Sequence, residues 1–406
     1  MAKRIFFLLN ISASKNPMLN GYIDALSRNY EIYISAPDVP FKSDIKAYKV
    51  PGILLRSFKK LLVLVIKFIK AGLIVVSFSK PNSASRERIN HVIDALYFLL
   101  DHFILTASHA YFVTRNRADF IISIDAGGMS AARIIKFLLK VPYAYAVYEV
   151  YPDQFLKIGE LQRQIMKKIE CRGAQHAAVL FDPGNNLFSK FIRRRYKLRH
   201  LSSEAIFVCP GKVECLSSLH VHHPIKIYYH GILIQDRGLE ELVTSMAHFK
   251  DQFHLFIRGF GPLKETLEKI VQAKNIGDRV FFLDPLPPDK LAEAAAEFDI
   301  GVTLAKKTTL NGKFVVGFKT LENINAGLAI MALDSYVLHE LINQTKVGVT
   351  FKDATIDDLT AALHQLTDPD VVKNYKIASR RITSDFLNRE TQSAKLNTIV
   401  KRIIGS

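Results

Sequence analysis

Ile300-Gly-Val-Thr-Leu304, a polar loop, Asn311-Gly-Lys-Phe-Val-Val-Gly-Phe-Lys-Thr-Leu-Glu-Asn-Ile-Asn-Ala-Gly327 and Leu328-Ala-Ile-Met331 decide the fold of this chain. The first and last of these runs carry no charge and have the length of strands buried on both faces. Between them, Phe318–Ala326 reads as a helix entered from a glycine-containing loop. Strand, loop, helix and strand in so short a span make a βαβ unit, whose two strands lie parallel in one sheet.

The same alternation extends in both directions. Upstream lie a strand at Ile225–Tyr229, a helix from Gly238 to Phe249, a strand at His254–Ile257 and a helix at Leu263–Lys274. A strand at Val280–Leu283 and a helix at Asp289–Phe298 complete that side, and a helix at Tyr336–Asn343 and a strand at Gly348–Phe351 follow downstream. The N-terminal half repeats the theme, with strands at Ile5–Leu9, Glu31–Ser35, Phe120–Ile124 and Tyr143–Val147. Its helical patterns fall near Gly21–Arg28, Ser57–Ile69, Ile89–Phe103 and Ala131–Leu139. Both halves therefore read as doubly wound α/β sheets, and two such sheets in one chain imply a cleft between two Rossmann-like domains. The expected division is 1–205, 206–385 and a C-terminal helix over 386–406 that returns to the first domain. Ser202-Ser203 and Pro210-Gly211 mark the linker between Leu198 and Pro224.

A chain of 406 residues that is 49% hydrophobic and 23% charged is a soluble globular protein of two domains, not a disordered or fibrous one. Cys171, Cys209 and Cys215 form no CxxC pair, which argues against a disulfide framework or zinc site and for a reducing, cytoplasmic compartment. The apolar run after Met1-Ala-Lys-Arg4 is too short for a signal-peptide core and reads as a first buried strand. The net charge of +17 is lopsided: residues 1–205 hold 31 basic and 15 acidic residues, and residues 206–406 hold 24 and 23. An N-terminal half at +16 faces something anionic.

Three segments carry candidate chemistry. Lys319 and Glu322 stand in the first turns of the Phe318–Ala326 helix, where free amides favour a phosphate and a carboxylate can accept from a ribose diol. Alone, the pair fits equally a surface Lys-x-x-Glu bridge. In Tyr229-His-Gly-Ile-Leu-Ile-Gln-Asp-Arg-Gly238, Gly231 lets backbone approach a ligand and Arg237 can pair with diphosphate oxygens, or the arginine is incidental to a βα turn. Arg258-Gly-Phe-Gly-Pro262 lacks the third glycine and acidic partner of a dinucleotide fingerprint, so it reads as a turn and not as an NAD site.

Taken in order, these segments resemble the family 4 retaining glycosyltransferases of the GT-B fold, closely over about 225–365 and loosely before. Arg237-Gly238-Leu239, Gly259-Phe-Gly-Pro262, Phe298-Asp299-Ile300 and Gly317-Phe-Lys-Thr-Leu-Glu322 carry the resemblance. It implies that Glu322 binds the donor ribose, while Arg237, Lys319 and the backbone at Gly231, Gly317 and Phe318 face the diphosphate. Val147-Tyr-Glu-Val-Tyr-Pro152 resembles the family's His-Glu-x-x-Pro stretch, with Tyr148 in place of the histidine. Glu149, and Asp125 in Asp125-Ala-Gly-Gly-Met-Ser130, are then the acidic candidates for positioning an acceptor hydroxyl, or are turn and capping carboxylates. Phe314 stands where many members carry a first glutamate near the donor sugar; branches with Lys-x-x-Glu also lack it.

The resemblance implies transfer of a hexose or N-acetylhexosamine, with retention, from a nucleotide-sugar to a glycan or lipid-linked acceptor in surface polysaccharide or glycoconjugate synthesis. It implies no cofactor and no metal. A noncatalytic GT-B subunit, favoured by Phe314 and Tyr148, and a nucleotide-sugar epimerase are the alternatives. Arg56-Ser-Phe-Lys-Lys-Leu-Leu-Val-Leu-Val-Ile-Lys-Phe-Ile-Lys70 gathers apolar residues on one helical face and five basic residues on the other. It reads either as a helix lying on an anionic membrane surface or as a sheet-covering helix with its lysines in water. Arg193-Arg-Arg-Tyr-Lys-Leu-Arg199 adds basic charge as a surface cluster or a solvated helix end. No nucleic-acid module is recognisable, and no feature assigns an oligomeric state.

Overall fold

The computed structural model describes residues 2–9, 17–37, 45–50, 83–147, 149–151, 153, 158–184, 186–210, 216–235, 237–287, 290–304, 310–314 and 317–405. The basic segment 56–70, Tyr148 and Cys215 lie outside them. The chain folds as two compact units, Met1–Asp182 with Phe188–Ala205 and Leu396–Ser406, and Pro183–Leu187 with Ile206–Lys395.

The first unit runs β1 (Arg4–Leu8), α1 (Pro17–Leu26), β2 (Glu31–Ala36), β3 (Lys46–Lys49), α2 (Ser83–Asn116), β4 (Phe120–Ile124) and α3 (Met129–Leu139). It continues through β5 (Tyr143–Ala146), α4 (Glu160–Ala174), β6 (Val179–Asp182), α5 (Leu187–Tyr196) and β7 (Ser203–Ala205). The strands pair in parallel in the order β3-β2-β1-β4-β5-β6-β7. The order reverses between β1 and β4, so the crevice of this sheet opens beyond the ends of those two strands. Ser203 is the first residue of β7, so the two serines do not begin the linker; the chain remains in the first sheet to Ala205.

Strands β1, β2, β4 and β5 are legible as apolar runs because both of their faces are covered. On one face Phe6, Leu8, Ile121 and Tyr143 pack against Phe112 and Val113 of α2 and Ala131, Ala132 and Ile135 of α3. On the other, Tyr22 of α1 lies against Phe7 and Phe181. The edge strand β3, Lys-Ala-Tyr-Lys, is exposed and polar and gives no such pattern.

Helix α2 is 34 residues long, well beyond the Ile89–Phe103 pattern. Its stretch Asn90–Asn116 is long and apolar enough, by length and composition, to cross a membrane. Its buried residues Leu105, His109, Phe112 and Val113 face the sheet of its own unit, so it is a sheet-covering helix. Its outer side is nonetheless apolar. Val92, Leu96, Leu99 and Phe103, spaced four, three and four apart, are exposed in one stripe, and Ile134, Phe137 and Leu138 are exposed on the neighbouring α3.

The second unit runs β8 (Ile225–His230), α6 (Leu239–Ser245), β9 (Phe253–Arg258), α7 (Lys264–Ala273), β10 (Val280–Leu283) and α8 (Leu291–Ala295). Then come β11 (Ile300–Thr303), α9 (Phe318–Asn325), β12 (Ala329–Leu333), α10 (Tyr336–Thr345), β13 (Gly348–Phe351), α11 (Ile356–His364) and α12 (Pro369–Asp385). α13 (Arg389–Ile404) begins in this unit, and Leu396–Ser406 fold with the first. The parallel order β10-β9-β8-β11-β12-β13 repeats the topology of the first six strands. The helix expected over Asp289–Phe298 is the short α8, because Phe298 instead packs against Tyr228 in the core between sheet and helices.

The switch point lies between β8 and β11. β8 follows β9 through six rungs to His230, but pairs with β11 only at Ile227 and Tyr228. The carboxyl ends of the two central strands therefore part, leaving room beyond Tyr228. At the amino edge, buried Asp299 accepts from the Lys376 ammonium at 2.7 Å, from the backbone N–H of Lys226 at 3.0 Å and from His222 Nδ1 at 2.9 Å. This fully buried pair ties α12 to the start of β11, away from the switch point. Burial pushes the Lys376 ammonium down, and the hydrogen bond and charge of Asp299 oppose that.

Candidate functional site

The second unit brings its candidate residues together at the parted strand ends. β8 alternates its side chains: Tyr229 joins the main core, while Tyr228 joins the core formed with Phe298. After His230, Gly231 takes φ +139, and a Cβ there would meet the Lys319 Nζ at 2.1 Å and its Cε at 2.6 Å. Only hydrogen at this position leaves the lysine its place. The Gly231 N–H donates to the Arg258 carbonyl at 2.9 Å, and a Cβ at Gly259 would stand 1.9 Å from the Gly231 carbonyl oxygen. The turns after β8 and β9 thus run in direct backbone contact, which explains the glycines of the Arg258–Pro262 segment as packing residues.

Gly317, at φ +70, caps α9 and supplies no side chain over its first amides. The helix is fixed by the Thr303–Thr320 hydroxyl pair at 2.8 Å and by Asn323, which packs where a Cβ on Gly301 would be. Phe318 and Gly317 are half-buried at this start. Lys319 reaches back, donating to Tyr229 Oη at 3.2 Å and lying 4.6 Å from the centre of that ring. Burial and then the Arg237 charge push its ammonium down to about 8, with Glu322 opposing. Glu322, one turn on, accepts from His230 Nε2 at 2.8 Å. Arg237 is exposed just before Gly238 and close enough to act on both Lys319 and Tyr229. Phe314 is buried with its ring against Tyr336, a packing contact.

Sequence reasoning missed the part of His230. A single histidine at a strand end is common, and its partner lies 92 positions away. The alternation Tyr228-Tyr229-His230 before a glycine was the available signal, since it places one aromatic under each of the two charged groups.

Asp125 and Glu149 belong to the first unit, after β4 and β5. Asp125 takes φ +52 and its N–H donates to the Ala146 carbonyl at 2.9 Å, a turn geometry. Glu149 is exposed, yet surrounding protein desolvates its carboxyl enough to hold it above the ordinary range. The same unit holds a buried polar cluster that the sequence did not reveal. Glu170, fully buried, accepts from Tyr145 Oη at 2.6 Å and from Tyr196 Oη. Burial raises its carboxyl to about 7, against the two tyrosine hydrogen bonds and the Arg195 charge. Arg195, from the basic 193–199 cluster, forms an ion pair with Asp153 at 2.6 Å, so this arginine is no solvated helix end. His109 of α2, also buried, pairs through Nδ1 with Ser35 Oγ at 2.7 Å, and burial with the neighbouring His102 pushes its pKa down to about 4.

Residues 217–381 match the family model described as glycosyl transferases group 1. The matched span lies within the second unit. Over 170 residues, 40% of this chain and 44% of the relative, the sequence is 27% identical to a GDP-mannose-dependent alpha-(1-6)-phosphatidylinositol monomannoside mannosyltransferase of Mycobacterium tuberculosis. The match thus spans less than half of that relative's length. The whole chain has the GT-B fold. It superposes on sucrose-phosphate synthase from Thermosynechococcus elongatus with a TM-score of 0.71 at 12% identity, covering 99% of each chain. On the Anabaena protein HepE, solved with UDP, the TM-score is 0.67 at 13% identity, covering 98% of this chain and all of the other. The matched span holds Gly231, Arg237, Gly317, Phe318, Lys319 and Glu322, and Asp125 and Glu149 lie outside it.

Proposed function

We propose that this protein transfers a hexose, with retention, from a nucleotide-sugar to a glycan or lipid-linked acceptor, the nucleoside diphosphate resting at the carboxyl edge of the second sheet. The observation that carries the reading is that Lys319 and Glu322, on one helix start, both turn to the end of β8, one at Gly231 and one at His230. A cation and a carboxylate about one helical turn apart fit the two ends of one ligand, a diphosphate and a ribose diol. In transfer, negative charge grows on the departing diphosphate; Lys319, Arg237 and the α9 amides are placed to stabilise it. With the acceptor entering from the leaving-group side, a phosphate oxygen takes its proton, and no strong protein base is required. Asp125 and Glu149 are proposed to orient the acceptor hydroxyl. The relative's GDP-mannose and the UDP of the Anabaena protein support a nucleotide-sugar as donor class.

The test is thermal stabilisation by UDP, GDP and ADP, followed by turnover with the matching sugar nucleotides and native lipid extracts. A bound nucleotide at a hundredfold excess over its Kd raises stability by about 2.7 kcal/mol. Glu149→Gln is expected to lower turnover more than nucleotide affinity; equal losses would move Glu149 to the nucleotide pocket. A protein that none of the three nucleotides stabilises overturns the donor reading.

The acceptor is proposed to lie at an anionic membrane. Support comes from the +16 charge of residues 1–205 and from the apolar outer faces of α2 and α3, where Arg133, Lys136 and Lys140 stand beside exposed Phe137 and Leu138 and no acidic residue occurs on α3. Apolar tips among basic residues suit a lipid interface. Co-sedimentation with phosphatidylglycerol vesicles but not with neutral ones is the expected result. A protein left in the supernatant with both implies a soluble acceptor.

A further inference from the structure

The function of His230 can be read from what fixes it and from what it touches. Its ring stacks on Tyr228 at 5.3 Å, and Tyr228 stacks on Phe298 at 4.4 Å and 7° between planes. The Tyr228 hydroxyl accepts from Arg258 Nε at 3.1 Å, so the middle ring is held at both its face and its tip. Phe298 is anchored in the core under α8 and the end of α9. The imidazole is 2% exposed, and its Nε2 meets Glu322 Oε2 at 2.8 Å. Its buried Nδ1 has no hydrogen bond among the described residues, which assigns the proton to Nε2 as donor. Glu322 has no other side-chain hydrogen-bond partner among the described residues and remains partly open to solvent.

Resting on the nucleotide-sugar reading, we propose that His230 is a positioning residue for ribose recognition. The Phe298–Tyr228–His230 stack sets the imidazole plane, and Nε2–H holds one oxygen of Glu322 so that the carboxylate presents its remaining lone pairs to the 2′,3′-diol. A glutamate otherwise loses side-chain freedom when it binds; here that ordering is done before the ligand arrives. His230 is too buried to touch the sugar or the diphosphate, and it acts only through Glu322. Selectivity for a ribose over a ring without hydroxyls therefore passes through a residue of the core.

The experiment compares the best-bound nucleoside diphosphate with its 2′,3′-dideoxy analogue by titration calorimetry. Wild type, His230→Phe, which keeps the stack and lacks the donor, and His230→Gln, which keeps a donor and lacks the stack, are each measured with melting temperatures. Wild type is expected to prefer the ribo form by roughly tenfold or more, as for one charge-assisted hydrogen-bonded contact. In His230→Phe the ratio should fall toward one while dideoxy affinity stays; in His230→Gln part of the ratio should return. A His230→Phe protein with the wild-type ratio overturns the positioning role alone. Should that variant not fold, additive effects of His230→Gln and Glu322→Gln on the ratio overturn it instead. A wild type that binds no nucleoside diphosphate overturns the donor reading, and the positioning role with it.

Discussion

The two units share one strand order and build opposite chemistry on it. In the second, backbone makes the opening: Gly231, Gly238, Gly259, Gly261 and Gly317 all take positive φ, and two of them lie against each other's backbone. In the first, the turn after β4 takes its positive φ at a residue with a side chain, Asp125. Its buried polar groups answer one another, Glu170 with Tyr145 and Tyr196, and His109 with Ser35. One unit keeps a desolvated ammonium with a carboxylate one turn away; the other pairs its buried carboxylate and imidazole with its own hydroxyls. Topology supplies the crevice in both, and residue choice sets the chemistry placed beside it.

The sharpest way to break this contrast is to exchange the effect of a single methyl group between units. Gly231→Ala would crowd the end of Lys319 and is expected to lower nucleoside-diphosphate affinity about a hundredfold, near the roughly 3 kcal/mol upper bound for losing the lysine's contact, with a modest change in melting temperature. Gly128→Ala, whose Cβ would stand 2.6 Å from Leu8 Cβ, should show the reverse, a lower melting temperature with nucleotide affinity kept. Equal affinity losses in both variants would erase the distinction.

A second test uses the cluster around buried Glu170. Glu170 has its folded pKa raised to about 7 from an ordinary 4.5, so the folded state holds the proton longer. Stability from this group is full below pH 4.5 and is lost as pH rises to 7, by up to about 3 kcal/mol. Glu170→Gln should remove that slope. Denaturant unfolding of both proteins from pH 4.5 to 8 measures it, and parallel curves would place the charge elsewhere.

How much of this could be read beforehand followed burial. Strands such as Val280–Leu283 and Gly348–Phe351 were bounded to the residue, because apolar runs between helices have one reading. β3, β6 and β7 were not found, being short and, for β3 and β7, set at the edge or poor in apolar residues. Lys319, Glu322 and Gly231 were legible as a motif. What binds them was not: Tyr229 under Lys319 and His230 beside Glu322 are pairings across 90 and 92 positions, and periodicity carries no information at that range.

The smallest expected effects sharpen the open site. Lys319→Ala and Glu322→Ala should each cost roughly 1.5–3 kcal/mol of nucleotide affinity without unfolding the protein. With the Lys319 pKa near 8, its charge is present below that pH and lost above it. Affinity should then weaken toward tenfold per pH unit above 8 in wild type and stay level in Lys319→Ala, beyond the ligand's own titration. Calorimetry at pH 7, 8 and 9 decides this; matching slopes in the two proteins would remove Lys319 from the phosphate side.

The last helix adds an ordering in time. Leu396, Ile399 and Val400 are buried, and Leu396–Ser406 belong to the unit that begins at Met1. During synthesis the first unit is made first but lacks these side chains until the second has emerged, so the N-terminal half waits on residues translated after that unit. Asn397 donates to the Ala25 carbonyl at 2.7 Å and pairs with Asn29, seams across 372 and 368 positions of the chain. A stop codon placed before Leu396 would therefore remove core residues from the unit that begins at Met1 rather than from the one just translated.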